Sequence, residues 1–329
     1  MKLRIFFLFL GFLACAQKML PPSPDRFPPR LAEIEVLNRT KLNLKFNEEI
    51  SAQSVTKDNF LIYSTQNETL SVKEVMISRR GDIITLVTEK QNPIHYLIQA
   101  QVSDLAGNRA KLRSRFLGSV KKDTIPPRIV EITPKLGSTK QKKITIRLRF
   151  SEEIDTLRPL NWAILPKSLK NRFEQSWQSD YRNLDLTLPD SLGPDTIVYF
   201  TLLPTIFDFE GNRLTGPGFT FFTSDSTLNT KLVTGKIQYQ NRPITQGLVI
   251  FAQVYDSLRA LALTVVDSIG SFALQVREGI YEVTAVADTN YDNRVDLSGR
   301  IKEFNTTAQE LLIEVHPDTV TFDLDWYLR

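Results

Sequence analysis

Residues 143–154, KITIRLRFSEEI, decide the fold class of this chain. From Lys143 to Phe150 polar and apolar side chains alternate, which places one face of a strand on a core and the other in water. Short stretches of the same kind recur on both sides, separated by turn-forming residues. No window offers an amphipathic helix longer than about two turns. The sequence therefore predicts an all-β protein.

Three motifs around this stretch occur twice in the same order, which indicates a duplicated unit of about 100 residues. The pairs are FPPRLAEI at 27–34 with IPPRIVEI at 125–132, FNEEI at 46–50 with FSEEI at 150–154, and DLAGN at 104–108 with DFEGN at 208–212. The first pair is separated by 98 residues and the other two by 104. Seven short strands are predicted in each copy, as in a β-sandwich. The predicted strands are 31–37, 41–46, 59–64, 71–78, 83–89, 95–101 and 113–118 in the first copy, and 128–134, 142–150, 161–165, 172–178, 183–189, 196–204 and 218–224 in the second.

This order of motifs resembles the bacterial Ig-like domains of the SbsA type, which occur in S-layer proteins and in bacterial surface lipoproteins. The resemblance covers residues 26–119, the first repeat, and residues 123–225, the second repeat. It implies two tandem Ig-like β-sandwiches that act as spacer or adhesion modules, and it implies no enzymatic activity.

Residues 230–329, the third unit, follow a different pattern. Its marks are VTGKI at 233–237, DSIGSFAL at 267–274 and GIYEVTA at 279–285. These motifs resemble the prealbumin-like, or carboxypeptidase regulatory-like, β-sandwich, in which Asp-x-x-Gly-x-Phe forms a turn and Gly-x-Tyr begins a strand. The resemblance implies a final strand at 319–328 and no catalytic residues.

The N-terminus carries the features of a bacterial lipoprotein. A basic start and the apolar run IFFLFLGFL at 5–13 form a signal peptide over residues 1–14. The segment FLAC at 12–15 resembles a lipobox, which implies that Cys15 carries the lipid and contacts the membrane. Residues 15–25 form a Pro-rich tether. A bacterial envelope protein anchored by lipid, in the outer membrane and facing either side, is expected; a plain signal peptide is the alternative.

Composition narrows the possible functions. The chain has 329 residues, a formal net charge of +4, one Cys and two His. With a single Cys the chain cannot form an internal disulfide. One Cys and two His are too few for a zinc cluster, and they disfavour most Ser-His-Asp or Cys-His chemistry. The basic excess is small and spread along the chain, so no nucleic-acid partner is expected. We expect a protein that is not an enzyme and needs no cofactor.

The best candidate site is a loop after the strand 281–287. Asp288, Asn290, Asp292 and Asp296 place oxygen ligands at positions 1, 3, 5 and 9, and Arg294 at position 7 offers its carbonyl. The loop lacks the Gly and Glu of an EF-hand at positions 6 and 12. It predicts a Ca²⁺ site of millimolar to submillimolar affinity. An Asx-rich turn without a metal is the alternative.

Other polar motifs have simpler interpretations. Glu48-Glu49 and Glu152-Glu153 are neighbours on a strand and point to opposite faces, so they are expected to be structural rather than a glycosidase pair. The DLAGN and DFEGN motifs predict Asx turns in which Gly107 and Gly211 take positive φ, with cation binding as a minor alternative. A sugar-binding platform is a further alternative, formed by Trp162, Trp177, Tyr181 and Trp326.

The leading hypothesis for function is display, adhesion or scaffolding by a non-enzymatic, lipid-anchored envelope protein. The alternative is a glycan-binding component of a surface uptake system, and a carboxylate-only glycosidase is a third possibility. The sequence identifies neither the protein or glycan partner nor the ligand-binding residues.

Overall fold

The computed structural model describes residues 25–66, 68–203, 205–216, 218–254, 256–290, 292, 294–308 and 310–318. Within these residues the chain forms 23 β-strands and three short 3₁₀ helices. The all-β prediction is confirmed. None of the helices among the described residues is long and apolar enough to cross a bilayer.

The first repeat is a sandwich of two antiparallel sheets. One sheet has the strand order β1-β2-β5-β4 and the other has the order β3-β6-β7. The strands are β1 (Leu31–Val36), β2 (Lys41–Phe46), β3 (Phe60–Ser64), β4 (Val72–Ile77), β5 (Ile83–Thr88), β6 (His95–Ser103) and β7 (Arg109–Leu117). Strand β7 is longer than the predicted 113–118, because every residue from Arg109 onwards pairs with β6.

The second repeat has the same arrangement, with the sheets β11-β12-β9-β8 and β10-β13-β14. Its strands are β8 (Ile129–Thr133), β9 (Ile144–Phe150), β10 (Trp162–Leu165), β11 (Glu174–Trp177), β12 (Asn183–Leu188), β13 (Ile197–Leu202) and β14 (Phe219–Thr223). The strand orders of the two repeats correspond one to one. Both repeats are therefore built on one plan, as the paired motifs indicate.

Alternation in β9 produces the packing that its sequence predicts. Ile144, Ile146, Leu148 and Phe150 are buried in the core of the second repeat. The outward Arg147 and its neighbour Arg149 instead pair with carboxylates of adjacent strands. Burial of each of the four apolar side chains stabilises the sandwich by about 2 kcal/mol.

The third unit is also made of two packed sheets. One contains β16-β15-β19, with β22 parallel to β15, and the other is β18-β17-β20-β21-β23. Its strands are β15 (Lys231–Tyr239), β16 (Arg242–Pro243), β17 (Leu248–Gln253), β18 (Asp256–Val265), β19 (Ser271–Val276), β20 (Ile280–Ala287), β21 (Leu297–Asn305), β22 (Glu310–Glu314) and β23 (His316–Pro317).

Several predictions concern residues outside the described part of the chain. These are the signal peptide, the acylated Cys15, the tether up to residue 24 and the final strand at 319–328. The boundaries of the three units also stay predictions, although the three sets of strands are consistent with them.

Candidate functional site

The predicted calcium loop lies between β20 and β21 and is held by its own hydrogen bonds. The carboxylate of Asp296 accepts the backbone N–H of Thr289 at 2.7 Å, the Thr289 hydroxyl at 2.6 Å and the backbone N–H of Asn290 at 3.1 Å. Asn290 Oδ1 accepts the N–H of Asp292, and Asp292 Oδ1 accepts the N–H of Arg294. These contacts form a series of Asx turns.

The electrostatics of the loop follow from these contacts. Burial raises the pKa of Asp296, but the hydrogen bonds from Thr289 and Asn290 lower it by more. The pKa of Asp296 therefore lies below its usual value. Asp288, at the other end of the loop, is buried. The calcium site stays a prediction.

Carboxylates converge elsewhere, once in each repeat. The two groups are Asp25, Glu48 and Asp104 in the first repeat, and Asp123, Glu152 and Asp208 in the second. In each group the oxygen atoms lie within 4.8 Å of one another. This convergence is not predicted above, although the sequence carries a signal for it: Asp25 and Asp123 share the 98-residue offset of the motifs that follow them.

Each group includes the aspartate of an Asx turn. In both 104–108 and 208–212 this aspartate accepts the backbone N–H of the asparagine at 2.8 Å and its side-chain amide at 2.8 Å. The asparagine amide also donates to the backbone carbonyl of Asp25 in the first repeat and of Asp123 in the second. Gly107 and Gly211 have φ of +91° and +88°. The predicted Asx turns are therefore confirmed.

The second acidic group has a strongly shifted member. Burial is the main cause that raises the pKa of Glu152 to about 7. The positive charge of Lys41 acts in the opposite direction. The negative charges of Asp208, Asp123 and Glu153 raise the pKa further. Glu152 therefore takes up a proton near neutral pH.

The junction between the two repeats is built around a buried lysine. The side chain of Lys41 is 3% exposed, and its Nζ lies 3.1 Å from Glu153 Oε2 and 4.0 Å from Glu152. Its Nζ also stands over the ring of Phe209 at 5.8 Å. Burial raises the pKa of Glu153, but the charges of Lys41 and Arg182 lower it to below its usual value. The pair Glu152-Glu153 lies just after β9 and both carboxylates approach the same lysine, so the prediction that they point to opposite faces of a strand is wrong; their structural role is at the junction.

A second charged contact lies beside this lysine. The guanidinium of Arg39 donates to the Glu210 carboxylate at 2.9 Å, and the Thr40 hydroxyl donates to it at 2.6 Å. The side chain of Glu210 is 1% exposed. The corresponding position of the first repeat is Ala106, so this contact is specific to the second repeat.

The junction between the second repeat and the third unit is mainly apolar. Tyr199, Phe219 and Phe221 lie on the face of the sheet β10-β13-β14 that is turned away from the core of their own repeat. They belong to a buried cluster continuous with the core of the third unit. The hydroxyl of Tyr199 donates to the carbonyl of Gln275 at 2.8 Å.

A cleft of about 480 Å³ lies beside this apolar junction. Leu202 and Leu214 line it from the second repeat, and Leu248 and Val266 line it from the third unit. Its wall is largely apolar and carries neither histidine nor cysteine among the described residues. The cleft offers a surface for an apolar group, and the carboxylates Asp267 and Asp288 also stand in its wall.

The proposed sugar platform is not exposed as such. Trp162 packs at 5.8 Å from Phe200, and Trp177 packs at 5.8 Å from Phe150. Both tryptophans are half-buried against the core of the second repeat. Trp326 lies outside the described residues. The described tryptophans thus complete a core.

Comparison with known proteins gives one family. Residues 123–224 match the family model described as "Bacterial Ig-like domain". The chain therefore contains an Ig-like domain, which is compatible with a non-enzymatic surface or scaffolding module of a bacterial envelope. No curated protein matches the chain.

Solved structures with detectable similarity are distant. The bacterial surface layer protein SbsC, domains 1–6, has 12% identity and a TM-score of 0.30; the match covers 87% of this chain and 41% of that chain. Domains A168–A170 of titin have 8% identity and a TM-score of 0.24, covering 88% and 98%. An α-2-macroglobulin fragment from Escherichia coli has 11% identity and a TM-score of 0.24, covering 88% and 96%. This chain spans less than half of the SbsC structure.

Proposed function

We propose that this protein is a lipid-anchored, non-enzymatic scaffold of the bacterial envelope. In this proposal the two Ig-like repeats hold the third, prealbumin-like unit in a fixed position relative to the membrane. The observation that carries the proposal is the burial of both junctions: a lysine that is 3% exposed joins the repeats, and a shared apolar cluster joins the second repeat to the third unit.

The first junction supports a fixed geometry because buried charges tolerate few alternatives. If Lys41 moved away from Glu153, the ammonium and the carboxylate would both be incompletely paired in a site that is partly shielded from water. Arg39 and Glu210 impose a second constraint beside the first, which also disfavours rotation about the linker. Domains joined by flexible linkers would instead have exposed and weakly paired surfaces where they meet.

The second junction supports the same function by a different force. Tyr199 is 2% exposed and Phe221 is 3% exposed, so separation of the two units would return large aromatic surfaces to water. Apolar burial of this kind stabilises by about 25 cal/mol per Å². The third unit is therefore carried as a rigid extension of the second repeat.

Rigidity is tested by distance measurements between spin labels on the two repeats. Leu61→Cys and Leu157→Cys place labels at exposed positions of the first and second repeats, with Cys15→Ser in the same chain. We expect one narrow distance distribution. Lys41→Ala should broaden it, whereas Lys45→Ala, which removes an exposed lysine paired within the first repeat, should not. A broad distribution in the parent chain contradicts the proposal.

The anchor is tested separately by mass spectrometry of the protein from a bacterial host. Acylation of Cys15 is expected to add diacylglycerol and to place the chain in the membrane fraction. Cys15→Ser should move it to the soluble fraction, because two or three acyl chains are what holds it there. An unacylated mature Cys15 contradicts this part of the proposal.

We also propose Ca²⁺ binding by the loop 288–296, on the spacing of its oxygen ligands. Calcium at about 10 mM should raise the melting temperature, since a ligand that binds only the folded state stabilises it. Asp292→Ala should remove the effect. Magnesium serves as the control ion. An unchanged melting temperature with calcium would contradict the proposed calcium site.

A further inference from the structure

The outer face of the sheet β3-β6-β7 carries a single row of cations. Arg109, Lys111, Arg113 and Arg115 alternate with inward residues along β7, so all four point to the same side of the sheet. All four are exposed. Six residue steps at about 3.4 Å give the row a length of about 20 Å. These four side chains are called the basic face.

The cations of the basic face have no carboxylate partner among the described residues. In the described part of the chain none of its four cations forms an ion pair, and the cross-strand neighbours on this side of β6 and β3 include no carboxylate. The opposite sheet of the same repeat differs, because Lys45 pairs with Glu33 and Glu35 there. Positive charge is therefore concentrated on one side of the first repeat.

Exposed apolar side chains accompany these cations. Leu61 on β3 is 49% exposed and Leu117 at the end of β7 is 55% exposed, and both point to the same side as the row. Leu105, in the turn that leads into β7, is 68% exposed. Cations interspersed with leucines match the boundary between lipid headgroups and acyl chains, where both kinds of side chain find partners.

The start of the described chain lies at one end of the row. The side-chain amide of Asn108, directly before Arg109, donates to the backbone carbonyl of Asp25 at 3.2 Å. In the second repeat the corresponding turn, 208–212, receives the preceding repeat through Phe209 and Glu210. In the first repeat the same end of the row therefore lies beside Asp25, the first residue that the structure describes.

We propose that the basic face lies on a bilayer surface rich in anionic phospholipid. The identity of that surface as the membrane of the anchor rests on the proposed function. The ten residues from Cys15 to Pro24 reach about 31 Å when extended, which brings the face within range of the headgroups. The face then provides the electrostatic contact and the acyl chains provide the permanent attachment.

Edge-strand protection is a different function for the same charges. Lysine and arginine on an edge strand such as β7 discourage pairing with a second chain. That function requires charge on β7 alone. It does not predict that the leucines of β3 and β7 become buried in the presence of lipid, and it does not predict a dependence on headgroup charge.

The test uses the chain from residue 16 onwards, which lacks the acylation site and keeps every described residue. Its flotation is measured with vesicles of phosphatidylglycerol and phosphatidylcholine in equal parts and with vesicles of phosphatidylcholine alone. Binding is expected only to the anionic vesicles, and it should fall as salt is added. Each neutralised cation should lower the partition coefficient about fivefold. The variant in which all four cations of the basic face are replaced by Gln should therefore bind roughly several hundred times more weakly.

The matched control removes four exposed lysines of the second repeat and changes the net charge equally. It carries Lys135→Gln, Lys140→Gln, Lys142→Gln and Lys143→Gln. This variant should bind anionic vesicles like the parent chain. Equal loss in both variants contradicts the proposal, and so does unchanged binding when the basic face is neutralised. Circular dichroism checks that both variants are folded.

A fluorescent label on Leu117→Cys reports contact with lipid directly. Its emission should shift to the blue with anionic vesicles, whereas a label on Leu312→Cys, which is exposed in the third unit, should not change. A third arm adds soluble polygalacturonate. Binding to this acidic polysaccharide without binding to vesicles would overturn the proposal in favour of an anionic glycan. Because the chain is not acylated, failure here is distinct from failure of the lipid anchor.

Discussion

The same sheet face has opposite character in the two repeats. In the first repeat Arg113 and Arg115 are exposed, whereas Phe219 and Phe221 occupy the corresponding positions of the second repeat and are buried. The correspondence follows from the register, because Arg115 precedes the inward Phe116 of β7 just as Phe221 precedes the inward Phe222 of β14. Inward residues maintain the sandwich, and outward residues determine what each repeat contacts.

The largest expected effect comes from removing an aromatic ring from the buried outer face of the second repeat. Phe221→Ala should lower the free energy of unfolding by about 4 kcal/mol, because the ring is 3% exposed and packs against Tyr199 in the cluster shared with the third unit. Arg115→Ala at the corresponding exposed position should change it by less than about 0.5 kcal/mol. Urea unfolding measures both. Equal effects would break the comparison.

The junction between the repeats should be the next most sensitive place. Lys41→Met should cost about 3 kcal/mol, because it leaves the buried Glu153 with only Arg182 as a cationic partner. The control is Lys45→Met, four residues further along the same strand, where the carboxylate partners are exposed and the loss of the ion pairs should cost much less. Thermal unfolding followed by circular dichroism distinguishes them. A neutral Lys41→Met would mean that the repeats are not held together by this contact.

The acidic group of the second repeat should make stability depend on pH through Glu152. Glu152 has a pKa of about 7 in the folded protein and an ordinary lower value when unfolded, so the folded state loses stability as pH rises between these values. Glu152→Gln should therefore stabilise at pH values above about 7 and should have little effect near the unfolded pKa. Because Glu152 is only partly buried, solvent screening reduces the expected gain to about 1.5 kcal/mol, roughly half of what the full shift corresponds to. Glu48→Gln is the matched change in the first repeat. A pH-independent effect of Glu152→Gln contradicts this assignment.

The smallest expected effect is one that the two repeats share. Gly107 and Gly211 both have positive φ, and an added Cβ at either position meets nothing within 4 Å. Gly107→Ala and Gly211→Ala should each cost about 1 kcal/mol, from backbone strain alone. Thermal unfolding of the two variants should give matching shifts. Unequal costs would show that the second turn also depends on its contact with the first repeat.

Prediction from sequence succeeded where the determining contacts are local. Alternation from Ile144 to Phe150 predicted β9, because side-chain direction in a strand depends only on position parity. The Asx turns at 104–108 and 208–212 were predicted because their hydrogen bonds join residues four apart. Strand β7 was predicted too short: it begins at Arg109, directly after the Asx turn at 104–108, and pairs with β6 from that residue onwards.

The acidic groups could not be predicted in the same way. Asp123, Glu152 and Asp208 come from a linker, a strand end and a turn that are far apart in sequence, and only the sandwich topology brings them together. The burial of Lys41 was equally hidden. A lysine at the start of a strand usually faces water, and this one is buried because the second repeat supplies Glu153 and Phe209 against it.

The sequence by itself determined the all-β class, the duplication and the local turns, because periodicity and short motifs act within a few residues of the chain. Tertiary structure alone decided which outward faces meet another unit. That choice made Phe221 an interior residue and left the cations of β7 at the surface, although the two strands occupy the same place in their sandwiches. The physical reason is that burial depends on what the rest of the chain places against a face. The sequence of β14 shows that its outer face is apolar, but it does not show which unit covers that face.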